Sequence, residues 1–569
     1  MNPRHRRIRI GRGDEDATRV LANARVLDVF SGTWMTGDIA IADGTIAGIG
    51  SDYRGAERYD CGGRSVVPGF IDSHVHIEST LMLPHECGKA VLPRGTTTSI
   101  WDPHEIGNVF GLDGLHWAAD ASMHTPLDLF VMASSCVPSS PLESPGAEIS
   151  AAELETLRSH PRVIGLAEMM NFPGVLNGDP EVLAKLDAFE TAPRDGHAPM
   201  MTGRDLCAYI AAGIRTDHEC TSLEEAREKL QRGMRVLIRE GSVAKNADAL
   251  LPLLNVYSSP FVSFCTDDRN PLDIAKEGHI DFIARSAISS GVAPEVVFRS
   301  ASISAALQFR LQDRGAIAPG YLADLVVLDD VDSVSVVDVF KSGRRVGEAG
   351  WDWGHTPAAP RENSMNTGPL SPDDLRISAS SASASVHVIE VIPGQIVTGR
   401  GVVSLPVRDG SVQVDGDVLK LAVFERHRAS GRVGVSFVRG FGFREGAVAS
   451  SVAHDAHNLC AVGATDGAIV AAARAVNEMG GGIAVVNGSG RVLASLSLPV
   501  AGLMSPEGFT AQVAQLTDLH AAARSLGGVL DEPFLQLSFL ALPVIPTLKL
   551  TDLGLVDVDA FKVIPTLAA

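Results

Sequence analysis

An α/β fold built on an eight-stranded β/α barrel is predicted by the chemistry of strand ends, the alternation of strands with helices and the length of the region. Residues 68–78 read as an apolar, β-branched strand that ends in His74-Val75-His76, and in a strand that spacing puts both imidazoles on one face. Further apolar runs end in metal-capable residues at Glu168, Asp195-Gly196-His197, Thr216-Asp217-His218 and Cys265-Thr266-Asp267. Helix-like segments lie between them, such as residues 222–232, which open on the capping pattern Ser222-Leu223-Glu224-Glu225. The span of residues 67–309 is close to the roughly 250 residues that such a barrel needs.

Taken in chain order, the lead (residues 1–17) carries Arg4, Arg6, Arg7 and Arg9. The polar Gly11-Arg12-Gly13-Asp14-Glu15-Asp16 follows instead of an apolar run, so the lead reads as a flexible, solvated arm and not as a secretion signal. Residues 18–66 alternate apolar and polar, with turns at Ser31-Gly32, Asp43-Gly44 and Gly62-Gly63, the pattern of short antiparallel strands. Within residues 67–309 the barrel strands are expected to end near His76, Ile100, Met132, Glu168, His197, His218, Ile238 and Asp267. Metal-capable groups therefore follow strands one, four, five, six and eight, at the barrel end where catalytic groups gather. Residues 310–350 return to short strands around Pro319-Gly320 and the apolar run ending at Leu328. Residues 351–385, dense in Ser, Ala, Pro and Asn, read as a linker. Residues 386–569 alternate strand-like runs (419–424) with helix-like ones (466–479) and read as a C-terminal α/β domain.

A chain of 569 residues is too long for one core, and 45% apolar content describes a globular protein of two or three domains. A formal charge of −20 argues against an extended nucleic-acid surface, because phosphate binding needs clustered Lys and Arg. The most apolar late stretch, residues 534–550, is interrupted by Gln536, Pro543 and Pro546 and is too short to span a membrane. Seven cysteines without a Cys-x-x-Cys do not describe a disulfide framework, which fits a reducing cytoplasm, and Cys265 reads as a small buried hydrophobe.

The order of candidate ligands resembles that of the amidohydrolase superfamily. The wording around them is similar to that of the bacterial adenine deaminases: Trp101-Asp102-Pro103-His104-Glu105, Glu168-Met169-Met170-Asn171, Gly196-His197-Ala198-Pro199, Ile238-Arg239-Glu240-Gly241-Ser242 and Phe264-Cys265-Thr266-Asp267-Asp268. The likeness continues through Ser451-Val452-Ala453-His454-Asp455-Ala456-His457-Asn458 and Phe539-Leu540-Ala541-Leu542-Pro543, and so covers nearly the whole chain. The Arg-rich lead, Met200, Arg310 and the Ser/Ala-rich linker depart from the pattern. The resemblance implies that residues 18–66 and 310–350 combine into one small composite β-sandwich domain beside a TIM-like barrel.

The resemblance also implies a binuclear centre. His74, His76, His197, His218, Glu168 and Asp267 would hold two divalent ions, with Glu168 as the bridge because the only lysine between Trp101 and Asp217 is Lys185, in a helix-like run. This carboxylate-bearing set favours Mn2+, then Fe2+, over Zn2+. Hydrolytic deamination of adenine to hypoxanthine follows: a metal-activated hydroxide adds to C6, and Asp267 carries the proton that lets ammonia leave. Glu168, His104 and Glu105 are the further catalytic candidates. His104 and Glu105 would protonate or orient the base, or else support the ligands. Asp268, Arg239 and Glu240 are candidate substrate contacts, with ion-pair support as the other reading of Arg239 and Glu240. His454 and His457, i, i+3 in the C-terminal domain, would close over the site or bind another metal on one reading, but a structural or inter-subunit role is preferred because nothing in the sequence places them near the barrel mouth. The expected partner is a small purine base, with no nucleic acid or membrane, and the resemblance implies a homo-oligomer, a dimer or a larger assembly. Alternatives are an N6-substituted adenine such as N6-methyladenine, a cyclic amide, or a non-catalytic scaffold that retains the barrel.

Overall fold

The computed structural model describes residues 2–568. Five strands precede the barrel: β1 (Ala17–Asp28), β2 (Thr33–Ala42), β3 (Thr45–Gly50), β4 (Gly55–Asp60) and β5 (Ser65–Pro68). The barrel strands are β6 (Phe70–Val75), β7 (Thr96–Trp101), β8 (Asp128–Ala133), β9 (Val163–Met169), β10 (Arg194–Gly196), β11 (Thr216–Asp217), β12 (Arg235–Arg239) and β13 (Val262–Cys265). Three more, β14 (Leu325–Asp330), β15 (Ser335–Lys341) and β16 (Arg344–Arg345), return to the first group.

Both flanks of the barrel build one β-structure with the order β16-β15-β14-β5-β1-β2-β3, and β4 also lies on β1. Its core takes Leu21, Val26, Ile39, Ile41 and Val66 from the first flank and Leu325, Val327 and Phe340 from the second. Strand β1 pairs with β4 and β5 in parallel, where the alternation alone suggested antiparallel strands throughout. The β2–β3 hairpin returns the chain to the start of β1, so that β4 begins with Gly55 opposite Ala17. The lead expected to be flexible is an ordered helix, Pro3–Gly11, with Asn2 capping it and Ile10 fully buried. Arg6 pairs with Glu15 at 3.1 Å and with Asp43, so the basic arm is neutralised against the β-structure.

Strands β6 to β10 run parallel as one sheet and β11 to β13 as another. Strands β6, β7 and β13 are buried along their whole length, as parallel strands covered on both faces must be. The two sheets close on each other at both seams. On one side the Asp267 N–H donates to the His74 carbonyl at 3.0 Å, and on the other the Arg215 N–H donates to the Arg194 carbonyl at 3.2 Å. The first seam fastens two candidate ligands to each other through backbone.

The C-terminal region carries a nine-stranded sheet of β17 (Ser383–Val391), β18 (Thr398–Arg408), β19 (Ser411–Val412), β20 (Val418–Phe424), β21 (Val433–Arg439), β22 (Ala447–Ser450), β23 (Leu459–Gly463), β24 (Gly482–Val486) and β25 (Val492–Ser497). Ala422 and Phe424 face the helix Asp466–Glu478 through Ile469, Ala473 and Val476. Leu421 and Val423, on the opposite face of β20, join Val75, Ile77, Trp101, Phe110 and Leu129 of the barrel in one core. Alternation along a single strand thus welds the second domain to the barrel. The segment between them also packs, since the His355 N–H donates to the His124 carbonyl at 3.0 Å and Met365, Leu370 and Leu375 are buried.

A charge cluster fixes the barrel to the β-structure. Asp128 at the start of β8 takes Lys341 and Arg314 at 2.6 Å each and Arg162 at 3.1 Å, and Lys341 also reaches Asp324 at 2.7 Å. Burial raises the Asp128 carboxyl, but Lys341, Arg314 and Arg162 hold it well below the usual carboxylate range. Asp128→Ala strands buried cations and is expected to cost about 3 kcal/mol in urea unfolding at neutral pH. Because the native pKa is depressed, the difference from the native chain persists down to about pH 4 and shrinks below it.

Candidate metal centre

Strand geometry delivers the first two imidazoles, with His74 near the end of β6 and His76 just beyond it. Their Nε2 atoms lie 3.2 Å apart. His76 Nδ1 lies 3.0 Å from the Asp102 carbonyl, which can only accept, so this nitrogen carries the proton. His74 Nδ1 likewise faces Asp195 Oδ2 at 3.2 Å. Two Nε2 lone pairs therefore point at one another, an arrangement resolved by a shared cation.

The carboxylates complete it. Glu168 at the end of β9 places Oε1 at 3.5 Å from His74 Nε2 and 3.4 Å from His76 Nε2, and Asp267 Oδ1 lies 3.1 Å from His76 Nε2. Its other oxygen, Oε2, lies 2.6 Å from His197 Nδ1 and 3.4 Å from His218 Nε2. Glu219 Oε1 stands 3.4 Å from the same His218 nitrogen. One carboxylate thus divides its oxygens between two donor sets, the requirement for a bridge between two divalent ions, and the donor chemistry fits such a pair. All six expected ligands converge here. Lys185 does not join them: its Nζ donates to the Ser135 carbonyl at 2.8 Å.

Asp267 follows β13 with φ of 55°, a backbone conformation unusual outside glycine, held by the paired strand ends described above. Arg239, the last residue of β12, donates to Asp267 Oδ2 at 2.7 Å and Glu219 Oε2 at 2.9 Å, leaving Asp267 Oδ1 to face the histidines. Burial raises the Asp267 carboxyl, but Arg239 and His76 hold it well below its usual range. Arg239 lines the cleft, and its two terminal nitrogens are committed to these two acids, which supports the ion-pair reading, while its buried Nε has no hydrogen-bond partner among the described residues. Glu240 is not brought to the cleft at all. As the next residue along an extended chain it points the other way, and its Oε2 accepts the Ala247 N–H at 3.1 Å. Asp268 does line the cleft, with Ser79 donating to it.

His104 opens a helix after β7, with Nδ1 at 3.0 Å from Asp102 Oδ2 and 3.5 Å from Glu168 Oε1. Next to it, Glu105 meets residues that sequence reasoning had placed elsewhere. His454 Nδ1 lies 2.7 Å from Glu105 Oε1, and His457 Nε2 bonds Glu105 Oε2. The shared core brings this turn of the C-terminal domain over the barrel mouth, so the two histidines are not remote from it. Burial opposes ionisation of Glu105, but His454 and His457 hold its carboxyl well below the usual range.

The cleft over the centre is small and lined by residues of both domains. Its floor is the metal-capable set, and Ile396, Phe539, Leu542 and Ile545 of the C-terminal region form an apolar roof. Sequence reasoning missed Asp102, Asp195 and Glu219 as supports. Each lies one or two residues from a predicted histidine, the only signal available for them.

Residues 65–346 match the amidohydrolase family, and residues 395–562 match the adenine deaminase C-terminal domain. The chain is 51% identical over 561 residues to a protein of Methylobacterium nodulans named adenine deaminase, covering 98% of this chain and 99% of that protein. It is 48% identical to adenine deaminase 1 of Rhizobium meliloti (97% and 98% covered) and 49% identical to adenine deaminase of Brucella suis biovar 1 (97% and 95% covered).

In the metal-free chain a proton must relieve the facing lone pairs. Burial lowers the His74 pKa, but Asp195 and Glu168 raise it to about 10. Metal binding must displace that proton. Adding Mn2+ to stripped protein in weak buffer at pH 7 is expected to release protons in proportion to the ions bound, read with a pH electrode. Apparent affinity falls about tenfold per pH unit for each proton displaced as pH drops. Glu168→Ala is expected to bind neither ion tightly, and uptake without proton release would contradict this account.

Proposed function

This chain belongs to the adenine deaminase family of the amidohydrolases, and on that footing we propose that it hydrolyses adenine to hypoxanthine and ammonia. The observation that carries the reading is the division of the Glu168 oxygens between the His74/His76/Asp267 set and the His197/His218 set. Two divalent ions held there would supply a water acidic enough to be hydroxide near neutral pH. A carboxylate rather than a modified lysine stands between the two histidine sets, and this, together with the family resemblance, supports manganese or iron over zinc.

The chain's own residues then have defined tasks. Addition at C6 of adenine breaks the aromatic ring system, and collapse expels nitrogen only as ammonia, because amide anion is too basic to leave. A proton must therefore move from the water to the purine. Asp267 is the base for this transfer: Arg239 fixes its outer oxygen and leaves Oδ1 on the reacting side. His104, beside Glu168, stands where it can orient or protonate the ring. The apolar roof excludes water from a site where these charges act at close range. Free cysteines, six of the seven buried, fit a reducing compartment, and no helix among the described residues is long and apolar enough to cross a membrane.

Protein prepared with manganese supplied and iron excluded is expected to release ammonia from adenine. Asp267→Asn should lower kcat by at least about 100-fold, the scale of a lost proton-transfer group. Faster release of methylamine from N6-methyladenine would keep the mechanism and change the substrate. Failure of fully metallated protein to act on either purine would overturn the proposal.

A further inference from the structure

Two groups in the cleft have no task in the chemistry above. His454 and Asp455 follow β22 in the C-terminal domain, and both line the cleft. Both are at least 98% buried, and among the described residues His454 Nε2 and Asp455 Oδ2 have no hydrogen-bond partner. Unpaired buried polar atoms are costly, and folds keep them where a ligand supplies the partner.

The orientation of His454 is fixed from behind. Its Nδ1 is bound by Glu105 at 2.7 Å, and Phe539 stacks on its ring at 4.5 Å with 10° between the planes. His457 steadies Glu105 in turn. Its Nδ1 accepts the Ala453 N–H at 3.1 Å, so its proton sits on Nε2 and is donated to Glu105. His454 is left with one free edge, Nε2, and Asp268 Oδ1 at 4.0 Å is beyond hydrogen-bond reach of it. Burial lowers the His454 pKa, but Glu105 and Asp268 raise it to about 9, so that Nε2 is a donor at neutral pH. Asp455 approaches a cation only through Oδ1, 3.8 Å from His104 Nε2, and Oδ2 stays an uncommitted acceptor.

We propose that His454 and Asp455 read the purine edge remote from C6, His454 donating to N3 and Asp455 accepting the N9–H. The assignment rests on the adenine reading of the metal centre. N3 lies para to C6 in the six-membered ring, and N9 sits beside it across C4. A base with C6 at the centre therefore turns an adjacent acceptor and donor toward the opposite wall. A substituent on N9 removes the proton that Asp455 accepts and fills the space beside it. The pair selects a free base over a nucleoside, and the C-terminal domain becomes the half of the site that sets specificity.

Calorimetry on manganese-loaded protein tests this with purine, which lacks the leaving amine, together with 9-methylpurine and 3-deazapurine. The native chain is expected to bind purine about 10- to 100-fold tighter than either analogue, the scale of one lost hydrogen bond to a charged group. Asp455→Ala should lose the discrimination against 9-methylpurine and keep that against 3-deazapurine. Asp455→Asn, which retains an oxygen, should restore part of it, and His454→Phe should show the opposite pattern. Equal binding of purine and 9-methylpurine by the native chain, or variants that hold their metal and discriminate as it does, would overturn the assignment. If Asp455→Ala fails to fold, the native discrimination and the Asn variant decide. Selective purine binding by a fully metallated chain that releases no ammonia from adenine would defeat the deaminase reading and leave the edge assignment standing.

Discussion

Glu168 is the group on which the rest of the site depends. Its two oxygens serve different histidine sets, so its position must satisfy β6 and β13 on one side and the ends of β10 and β11 on the other. A barrel is suited to this demand, because parallel strands bring residues far apart in sequence to one rim. The bonds between the Asp267 N–H and the His74 carbonyl and between the His76 N–H and the Asp267 carbonyl make the closure of the barrel and the closure of the ligand set the same event. A slip of one residue in β6 would turn His74 away and break that seam at once.

The C-terminal domain completes the site through packing more than through polar contact. One face of β20 is continuous with the barrel core around Trp101 and Phe110, so the turn carrying His454 and the segment carrying Phe539 are held as firmly as the strands themselves. Lys549 shows how the roof is tied: its buried Nζ donates to the carbonyls of Ile396 at 2.7 Å and Phe539 at 2.8 Å, two residues that line the cleft. Rigid walls of this kind let a small cleft discriminate by hydrogen bonding, since a misfitting base cannot be met by relaxation of the protein.

What the sequence revealed and what it hid have physical causes. The barrel and the convergence of six metal-capable residues at its rim were legible because strand ends and such residues coincide, as at Val75-His76 and Cys265-Thr266-Asp267. The ordered lead was hidden, because the pairing of Arg6 with Asp43 links residues far apart in the chain and leaves no periodic trace. His454 and His457 were misplaced for the same reason: nothing local to the i, i+3 pair says that Glu105 lies opposite. Glu240 was drawn into the site by its neighbour Arg239, although alternation along an extended chain sends successive side chains to opposite sides.

The electrostatics explain why so many histidines converge. Glu168, Asp267, Glu219 and Asp195 are buried carboxylates, and Arg239 is the one guanidinium among them. Left alone, such a cluster would carry a net negative charge of about three units in a medium that solvates charge poorly. In the metal-free chain a proton between the facing nitrogens of His74 and His76 offsets part of it, and the surrounding carboxylates raise both imidazoles against the pull of burial. Divalent cations offset the same charge when bound, so protons and metal compete for one electrostatic role. Arg239 cannot take part in that exchange, because its guanidinium does not deprotonate. It therefore holds Asp267 in one orientation whichever cation occupies the centre, and the proposed base stays aligned as the site is loaded.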